Sequence, residues 1–586
     1  MTSQDTPAEL RALYLSLGLA WQDVSQVLRA FDRHEEAIQV LREAALAFQE
    51  AACLAPGDSQ AHFLLGLTYR DLDNQDKAEA AFRSTLELEP EHVEALRSLG
   101  LLLSELERYE ESLPFLERLA ELAPDDAVTF RTLGTAYRRL GRGQEAVTAC
   151  NRALALAPDD VEALRQLGIA LRSLKQYSES EEAFRQAIAL APASTNAYTG
   201  LSLTLLQMER YEEALAVLDH ALKLDPDYAH AWGYKGLALL QVERYEEVLV
   251  ALDHALKLDP DYAQAWGYKG LALLHMERYE EALAALDRAL ELDPNLGWAW
   301  GSKGRTLRQM GRYEEALVAL DRALELNPDY AWVVAHKGLT LRQMKQYEEA
   351  LAVFDCALEL DPNYAWAAAC KGQTLRRMGQ YEEALATVDR ALRSSPDYGW
   401  AWANKGETLR RMGRYEEALE AFARALELAP NLGWAWECQG DTLTRLGRYD
   451  EALAAVECSL ALGSDRDWSH YLRAMAYDRI GSLKSTSHSL EQAVRLAREK
   501  LQREPQSLWS RFNLAVYLLA SAHPDDALEN YHQGIQEVRY ASDLRAALCD
   551  LEQLAAWKGQ VEGWDEAWVL LQTALECEGT RLKVDP

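Results

Sequence analysis

The sequence predicts an all-α protein in which pairs of helices stack on one another as an α-solenoid. The chain has 586 residues and 17 prolines, and twelve of these prolines recur at intervals of 34 residues. They stand at positions 56, 90, 124, 158, 192, 226, 260, 294, 328, 362, 396 and 430. Because proline lacks a backbone N–H and clashes with the preceding helical turn, each of them marks the end of a helix. An internal repeat of this length is typical of stacked helical arrays.

Each 34-residue interval has the pattern of two amphipathic helices. In residues 297–330 the first helix is predicted over about 297–310, Gly311 ends it, and the second helix is predicted over about 313–326. The apolar residues of the second helix recur at helical spacing, as Ala316, Leu317, Leu320, Ala323 and Leu324. Neither helix can bury its apolar face alone, so each pair must pack against the next pair.

The order of large and small residues in this interval resembles the tetratricopeptide repeat family. That repeat has a large residue at position 4, small residues at 8, 20 and 27, apolar residues at 11 and 24, and proline at 32. Here these positions hold Trp300, Gly304, Leu307, Ala316, Leu320, Ala323 and Pro328. The resemblance recurs without insertion from Ser59 to Pro430, and 433–466 matches except that Ser464 replaces the proline. It implies a right-handed α-solenoid of about fifteen helix pairs.

One departure from the family pattern is a lysine at position 7, where leucine is usual. We expect the aliphatic stem of this lysine to pack while its ammonium group reaches water. The lysines concerned are Lys235, Lys269, Lys303, Lys337, Lys371 and Lys405.

The two ends of the chain drift from the regular repeat, as the terminal units of a solenoid should. We predict a helical cap over 1–24 and a degenerate first repeat over 25–58. The regular array is predicted over 59–466. Residues 467–586 are predicted to form degenerate helix pairs and a C-terminal cap.

Composition limits the function classes. The net charge of −32 disfavours general binding of nucleic acid or an anionic membrane. No apolar run is long enough to span a bilayer, and the N-terminus lacks the pattern of a signal peptide. Eight scattered cysteines without a CxxC pair are typical of packed thiols in a reducing compartment. We therefore expect a cytoplasmic protein.

The negative charge is sorted between the two helices of each repeat. Over the four repeats from 297 to 430, the first helices (A helices) and their turns hold 14 Lys and Arg and a single acid, Glu407. The second helices (B helices) hold 16 acids and four arginines. In the family that the sequence resembles, A helices line a concave groove. The resemblance therefore implies a basic groove on an acidic protein.

The arginines at the groove positions are the predicted partner-binding residues. Those of the four repeats are Arg305, Arg308, Arg342, Arg376, Arg377, Arg410 and Arg411, and an upstream group comprises Arg97, Arg131, Arg138, Arg165 and Arg172. Arginine grips carboxylates with two parallel hydrogen bonds, which suits an extended acidic segment. The alternative is that these arginines pair with the glutamates of neighbouring Tyr-Glu-Glu turns, where exposed ion pairs contribute about 0–1 kcal/mol.

Tryptophans form two further series. Position 2 holds Trp298, Trp332, Trp366, Trp400 and Trp434, which are predicted either to anchor a ligand at the groove margin or to join adjacent repeats. Position 4 holds Trp232, Trp266, Trp300, Trp402 and Trp436, which are predicted to lie in the core.

The sequence contains no motif for catalysis, metal or a cofactor. There is no phosphate-binding GxxxxGK[ST] loop, no HExxH and no GxSxG. The lysine of the carboxylate clamp that some members of the family use is also missing at position 5, which holds Gly233, Gly267, Gly301, Ala335 and Ala369. The sequence therefore predicts neither an enzyme nor a receptor for chaperone tails.

The predicted function is a non-catalytic scaffold that binds acidic or amphipathic protein segments in its groove. By analogy with other arrays of this kind, it would serve as a sensing or regulatory subunit of a larger bacterial complex. The alternative is a polyanion-binding or RNA-binding helical repeat, which the net charge of −32 opposes. The sequence leaves homo-oligomerisation open.

Overall fold

The computed structural model describes residues 7–463, 466–538 and 541–577, apart from the side chains of residues 541, 542 and 577. Over these residues the chain forms thirty-two α-helices and no strand, which confirms the predicted all-α class. The chain divides into two compact units, residues 1–276 and 277–586.

Fifteen described helices form the first unit, and each helix after α1 packs against its predecessor. They are α1 (Pro7–Ala30), α2 (His34–Leu54), α3 (Ser59–Asp71), α4 (Gln75–Leu88), α5 (Val93–Glu105), α6 (Tyr109–Leu122), α7 (Ala127–Arg139), α8 (Gly143–Leu156), α9 (Val161–Ser173), α10 (Tyr177–Leu190), α11 (Thr195–Gln207), α12 (Tyr211–Leu224), α13 (Ala229–Gln241), α14 (Tyr245–Leu258) and α15 (Ala263–His275).

The second unit contains seventeen described helices. They are α16 (Tyr279–Leu292), α17 (Gly297–Gln309), α18 (Tyr313–Leu326), α19 (Ala331–Gln343), α20 (Tyr347–Leu360), α21 (Ala365–Arg377), α22 (Tyr381–Ser394), α23 (Gly399–Arg411), α24 (Tyr415–Leu428), α25 (Gly433–Arg445), α26 (Tyr449–Ala461), α27 (Asp467–Ile480), α28 (Leu483–Arg503), α29 (Leu508–Ala520), α30 (Pro524–Ile535), α31 (Ala541–Lys558) and α32 (Trp564–Cys577).

The first two helices, α1 and α2, are longer than those of the regular repeats. Helix α1 runs through the expected boundary at residue 24, and with α2 it forms one helix pair. Gly18 allows this close packing, because a Cβ at Gly18 would lie 2.5 Å from the Phe48 ring. The segment between residues 7 and 30 contains no internal proline that would divide it into a cap and a repeat.

The predicted helix ends occur where the glycine and proline pattern places them. Gly311 adopts φ +75°, and the N–H of Arg312 donates to the Leu307 carbonyl at 2.9 Å, which closes the C-terminus of α17. Other repeats have a non-glycine residue at this left-handed position, for example Lys345 with φ +61°. At the end of α18, Asn327 is extended, as expected for a residue before proline.

Small residues at positions 8, 20 and 27 set the distance between the two helices of a repeat. A Cβ at Gly304 would lie 2.5 Å from Leu320 Cγ and 3.1 Å from the Ala316 carbonyl oxygen. Ala316 and Ala323 have no exposed surface. These contacts confirm the packing role that the family pattern implies for small residues at these positions.

The position-7 lysine lies in a three-residue cluster that recurs along the array. The Lys303 ammonium group is 5.1 Å from the centre of the Trp300 ring and 2.6 Å from Asp287 on α16. The Trp300 indole N–H donates to the Pro294 carbonyl at 3.0 Å. Trp300 is thus half-buried at the edge of the core instead of inside it, and the lysine stem covers its outer face.

The cysteines divide between buried and exposed sites, so the expectation of packed thiols is only partly met. Cys150 and Cys370 are buried, whereas Cys53, Cys356 and Cys458 are exposed. The exposed ones lie on outward faces of B-type helices, where a small side chain is tolerated without burial. The side chain of the eighth cysteine, at position 577, lies outside the described residues.

Replacement of Gly304 by valine should lower the free energy of unfolding by about 1–3 kcal/mol, because the new side chain overlaps Leu320. Hydrogen exchange should accelerate in α17–α20 and stay unchanged in the first unit, since each repeat contacts only its neighbours. Thermal melting and hydrogen-exchange mass spectrometry measure both effects. Gly57→Val is the control, because no atom lies within 4 Å of a Cβ at Gly57. Equal destabilisation by both variants would contradict this account of packing.

Candidate functional site

The position-12 arginines of the second unit reach from one A helix to the next. Arg376 Nη1 on α21 donates to Glu407 Oε1 on α23 at 3.3 Å. In the same register, Arg342 on α19 donates to Gln373 on α21, and Arg410 on α23 donates to Asp441 on α25. Each donor lies 31 residues before its acceptor, because position 12 of one repeat faces position 9 of the following repeat. We call Arg308, Arg342, Arg376 and Arg410 the arginine ladder.

The C-terminal half of the arginine ladder is neutralised by buried carboxylates. Glu407 accepts from Arg410 Nε at 2.7 Å and from Arg411 Nε at 3.0 Å, in addition to Arg376. The Glu407 side chain is only 6% exposed. Burial by itself raises the pKa of Glu407, but the surrounding arginines outweigh burial and hold this pKa well below its usual range.

A helix from the C-terminal segment completes this network. Asp441 accepts from Arg445 Nε at 3.2 Å and from Gln553 Nε2 on α31 at 3.1 Å. Arg445 Nη2 in turn donates to Asp550 on α31 at 3.3 Å. Burial raises the pKa of Asp550 to about 6, because the loss of hydration outweighs the attraction of the Arg445 charge.

The N-terminal half of the ladder contacts neutral acceptors instead. Arg308 Nη1 donates to Gln343 Oε1 at 3.3 Å, and Arg342 donates to Gln373. Within the part of the chain that the structure describes, neither arginine forms an ion pair with a carboxylate. Burial, followed by the nearby charges of Arg305 and Arg342, lowers the pKa of Arg308 to about 10. The charged form of Arg308 is therefore destabilised where it stands.

A histidine beside this half of the ladder has a pKa that the same arginine charges lower. His336 on α19 is partly exposed, but its imidazole ring is enclosed by neighbouring side chains. Burial and then the charges of Arg308 and Arg305 lower the pKa of His336 to about 3. His336 is consequently neutral at physiological pH and adds no charge to this face.

A cavity of about 930 Å³ opens beside the neutralised half of the ladder. Helices α21, α23 and α25 form one wall, and residues of α28, α29 and α31 form the other. Its aromatic lining includes Trp400, Trp434, Trp468 and Trp509. The Arg411 guanidinium lies 5.5 Å from the centre of the Trp509 ring, and Arg377 is exposed at the rim. The cavity thus combines stacking surfaces with accessible cations.

The position-2 tryptophans occupy two kinds of position. A Cβ at Gly301 would overlap the Trp332 ring, so Trp332 packs directly on the preceding A helix. Trp366 contacts a buried cluster that includes Ala335 and Ala367, and Trp298 contacts one that includes Leu290 and Ala299. These three residues join adjacent helices. Trp400 and Trp434 also line the cavity.

In the first unit, the predicted arginines are held by the adjacent repeat or by their own helix. Arg97 pairs with Asp126 at 3.1 Å and Arg131 with Asp160 at 3.5 Å, both of which are N-cap residues of the following A helix. The remaining contacts are Arg165 with Glu162 at 2.6 Å, Arg138 Nε with Gln166 at 2.8 Å, and Arg172 Nη1 with the Gly200 carbonyl at 3.1 Å. Burial lowers the pKa of Arg138 and Arg172.

The glutamates of the Tyr-Glu-Glu turns have other partners than the ladder. Arg312 Nε donates to Glu315 at 2.7 Å, and Arg414 Nε donates to Glu417 at 2.7 Å. Each of these arginines precedes its glutamate by three residues, at the start of a B helix. The partners of Arg376 and Arg410 lie on A helices, which differs from the pairing alternative drawn from the sequence.

Sequence reasoning missed the acidic partners of the ladder and the contribution of α31. Glu407 and Asp441 occupy position 9. The sequence indicated a special role only for Glu407, which is the single acid in the A helices and turns of the four repeats from 297 to 430. Asp550 and Gln553 lie more than a hundred residues after Arg445 and Asp441, in a segment without the repeat pattern. No pattern of spacing connects such distant positions.

The described residues contain no group of three or more His, Cys, Asp or Glu side chains arranged to hold a metal ion. Among the described helices none has the length and apolar character needed to cross a membrane.

Two substitutions within the network should have opposite effects on stability. Because the pKa of Asp550 is raised in the folded protein, its contribution is favourable at low pH and is lost as the pH rises through about 4 to 6. Above pH 6, Asp550→Asn should therefore raise the free energy of unfolding by up to roughly 3 kcal/mol, and with it the melting temperature. Near pH 4 the same substitution should give no gain in stability. Glu407→Gln should cost roughly 3–5 kcal/mol at neutral pH, because it leaves the nearly buried Arg376 without its carboxylate partner.

Circular dichroism melting curves at several pH values measure both substitutions. Asn404→Ala on the same helix serves as a control for loss of a buried polar group without charge, since the Asn404 amide donates to the Trp400 carbonyl. A stabilising Glu407→Gln variant, or an Asp550→Asn variant without pH dependence relative to the parent, would contradict the assignment.

Family models match much of the chain. A model described as tetratricopeptide repeat matches residues 125–193, 261–329, 295–363 and 363–431, and a second one with the same description matches 171–238. Residues 28–157 match the middle TPR-like domain of cilia and flagella-associated protein 70. No curated protein sequence matches the chain.

Three of the solved structures with a similar chain trace are the following. The APC/C hetero-tetramer Cut9–Hcn1 is 16% identical, with 78% of this chain and 98% of that chain covered and a TM-score of 0.46. A tetratricopeptide repeat protein from Parabacteroides merdae is 15% identical over 42% of this chain and 98% of that chain, with a TM-score of 0.39. MamA is 24% identical over 29% of this chain and 94% of that chain, with a TM-score of 0.28.

The family models and the repeated helix pairs lead to the same assignment. The matched segments coincide with the helix pairs whose small residues, helix ends and prolines follow the 34-residue register. Such repeats generally act as scaffolds for contacts between proteins and carry no catalytic machinery of their own. The chain belongs to the tetratricopeptide repeat family.

Proposed function

We propose that this protein is a non-catalytic scaffold that binds an acidic or amphipathic segment of another protein along the A helices α17, α19 and α21. In this role it would act in the cytoplasm as a sensing or regulatory subunit of a larger bacterial complex. The family supports a role in protein–protein contacts in general. The choice of site and ligand rests on the charges of the second unit.

The observation that carries the proposal is the difference between the two halves of the arginine ladder. Arg376 and Arg410 have buried carboxylate partners, whereas Arg308 and Arg342 donate to glutamine side chains. Buried cations are usually paired, because loss of hydration is costly without an opposite charge. A carboxylate from a partner protein would form an ion pair with Arg342, as Glu407 does with Arg376.

The accessible members of this region define the chemistry of the ligand. Arg342 and Arg305 are partly exposed and Arg377 is exposed, so these residues are accessible to a ligand with carboxylates. Arg308 lies beneath them and strengthens the positive field. Trp332 and Trp366 are half-buried between these helices and offer apolar edges to the same ligand. Alternating acidic and apolar side chains would satisfy both features.

The structure also changes how the site should be tested. Charge reversal of Arg342, Arg376 and Arg410 together is the obvious experiment from the sequence. Arg376 and Arg410 hold the buried Glu407 and Asp441, so their reversal would disrupt the fold as well as any binding. Arg342 and Arg377 are the residues that can be reversed without breaking an ion pair in the described part of the chain.

Binding can be measured with a fluorescein-labelled peptide of alternating glutamate and leucine. Fluorescence anisotropy should show saturable binding that weakens as salt is added, because the contacts are ionic. The double variant Arg342→Glu and Arg377→Glu should bind this peptide roughly tenfold more weakly or worse, since each charge-assisted contact is worth about 1.5–3 kcal/mol. Helical circular dichroism should be unchanged.

The matched control reverses two arginines on B helices, Arg322→Glu and Arg390→Glu. It makes the same change in net charge on exposed residues of α18 and α22. The proposal requires that this control binds like the parent protein. Equal weakening by both double variants would mean that only overall charge matters. Tighter binding of polyuridine RNA than of the peptide would favour the nucleic-acid alternative over a protein ligand.

A further inference from the structure

Helix α1 has two apolar faces, and only one of them is covered. The inner face packs on its own unit, where Gly18 meets the Phe48 ring and Gln22 Nε2 donates to Thr68 Oγ1 at 2.9 Å. The outer face carries the exposed apolar residues Leu13 (60%), Leu17 (42%), Ala20, Val24 (42%) and Val27 (56%), and the exposed Phe31 (73%) follows in the turn directly after the helix. We call these six residues the outer seam.

The spacing of the outer seam is that of a coiled coil. Successive members are four, three, four, three and four residues apart, which is the alternation of a heptad repeat. Helix α1 has 24 residues, against 13 in most A helices, and is therefore about 36 Å long. A contiguous stripe of exposed apolar side chains of this kind indicates a docking surface.

We propose that the outer seam of α1 pairs with the outer seam of a second copy of this chain in an antiparallel, two-fold symmetric contact. In that arrangement Leu13 faces Phe31 of the other copy, Leu17 faces Val27, and Ala20 faces Val24. The small Ala20 then lies opposite the larger Val24, and the large Phe31 lies opposite Leu13 instead of another Phe31. A parallel pair would place Ala20 opposite Ala20 and Phe31 opposite Phe31, which leaves a gap at one layer and crowding at another.

Charge also favours a second copy at this helix. The whole chain carries a net charge of −32, so most surfaces of two copies repel each other. Helix α1 is balanced, because Glu9 and Asp23 are offset by Arg11 and Arg29. Two chains can therefore approach through α1 without bringing excess charge into contact. A two-fold contact of this kind is also closed, so it yields a dimer and not a fibre.

The test is the mass of the full-length protein across a dilution series, by sedimentation equilibrium. The parent protein should move between one and two chain masses as concentration rises. The double variant Leu17→Asp and Val27→Asp should remain at one chain mass, because it buries two carboxylates in the seam. Its helical circular dichroism should be unchanged, since both residues are exposed. Leu13→Arg, at the end of the seam, is a second variant with the same expectation.

Val318→Asp is the matched control, because Val318 is 69% exposed on α18 and lies outside the seam. It should dimerise like the parent. A parent protein that stays at one chain mass at every concentration, or a double variant that still dimerises, would overturn the proposal.

Asp23 tests the direction of pairing. In the antiparallel arrangement the two copies of Asp23 flank the two-fold axis on the same side, whereas in a parallel pair Asp23 lies beside Leu28. Asp23→Asn should therefore tighten dimerisation, by about twofold for the loss of one exposed like-charge pair. Unchanged or weaker dimerisation of this variant would overturn the antiparallel arrangement.

Discussion

The close contact between the two helices of each repeat is the constraint on which the rest of the structure depends. Gly304 and Ala316 are small because the Leu320 side chain and the facing backbone leave no room for more. The same contact recurs between Gly338 and Phe354 and between Gly406 and Phe422. Because packing is this tight, insertions are not tolerated, and the 34-residue register is kept throughout the array.

Because the register is constant, a residue that occupies the same position in successive repeats makes the same contact in each of them. Lys303 lies over Trp300 and pairs with Asp287, and Lys405 does the same with Trp402 and Asp389. The arginine ladder follows from the same geometry, since position 12 faces position 9 one repeat later. For Arg342, Arg376 and Arg410 the residue at position 9 then decides the state of the arginine, whereas Arg308 donates to Gln343 at position 13. Glutamine leaves its charge without an ionic partner, whereas glutamate or aspartate neutralises it.

The two ends of the chain use the array differently. Helix α31 supplies Asp550 and Gln553 to the last charged residues of the A-helix face, and its Trp557 donates to Asp478 at 2.8 Å. This helix therefore completes one wall of the cavity that holds Trp400 and Trp434. Helix α1 instead covers the first unit with one face and leaves its other apolar face exposed.

The sequence by itself determined the helix pairs, their ends, the small residues between them and the packing of the position-7 lysines. These features depend on residues close in sequence or repeated at a constant interval, so their pattern is visible in the chain. The tertiary structure alone decided which arginines are neutralised. Arg376 and Arg342 look equivalent in sequence, yet one meets Glu407 and the other Gln373. The state of Arg445 further depends on Asp550, which belongs to a segment without the repeat. A buried charge is governed by whatever lies beside it in space, and for these residues that neighbour is far away in the chain.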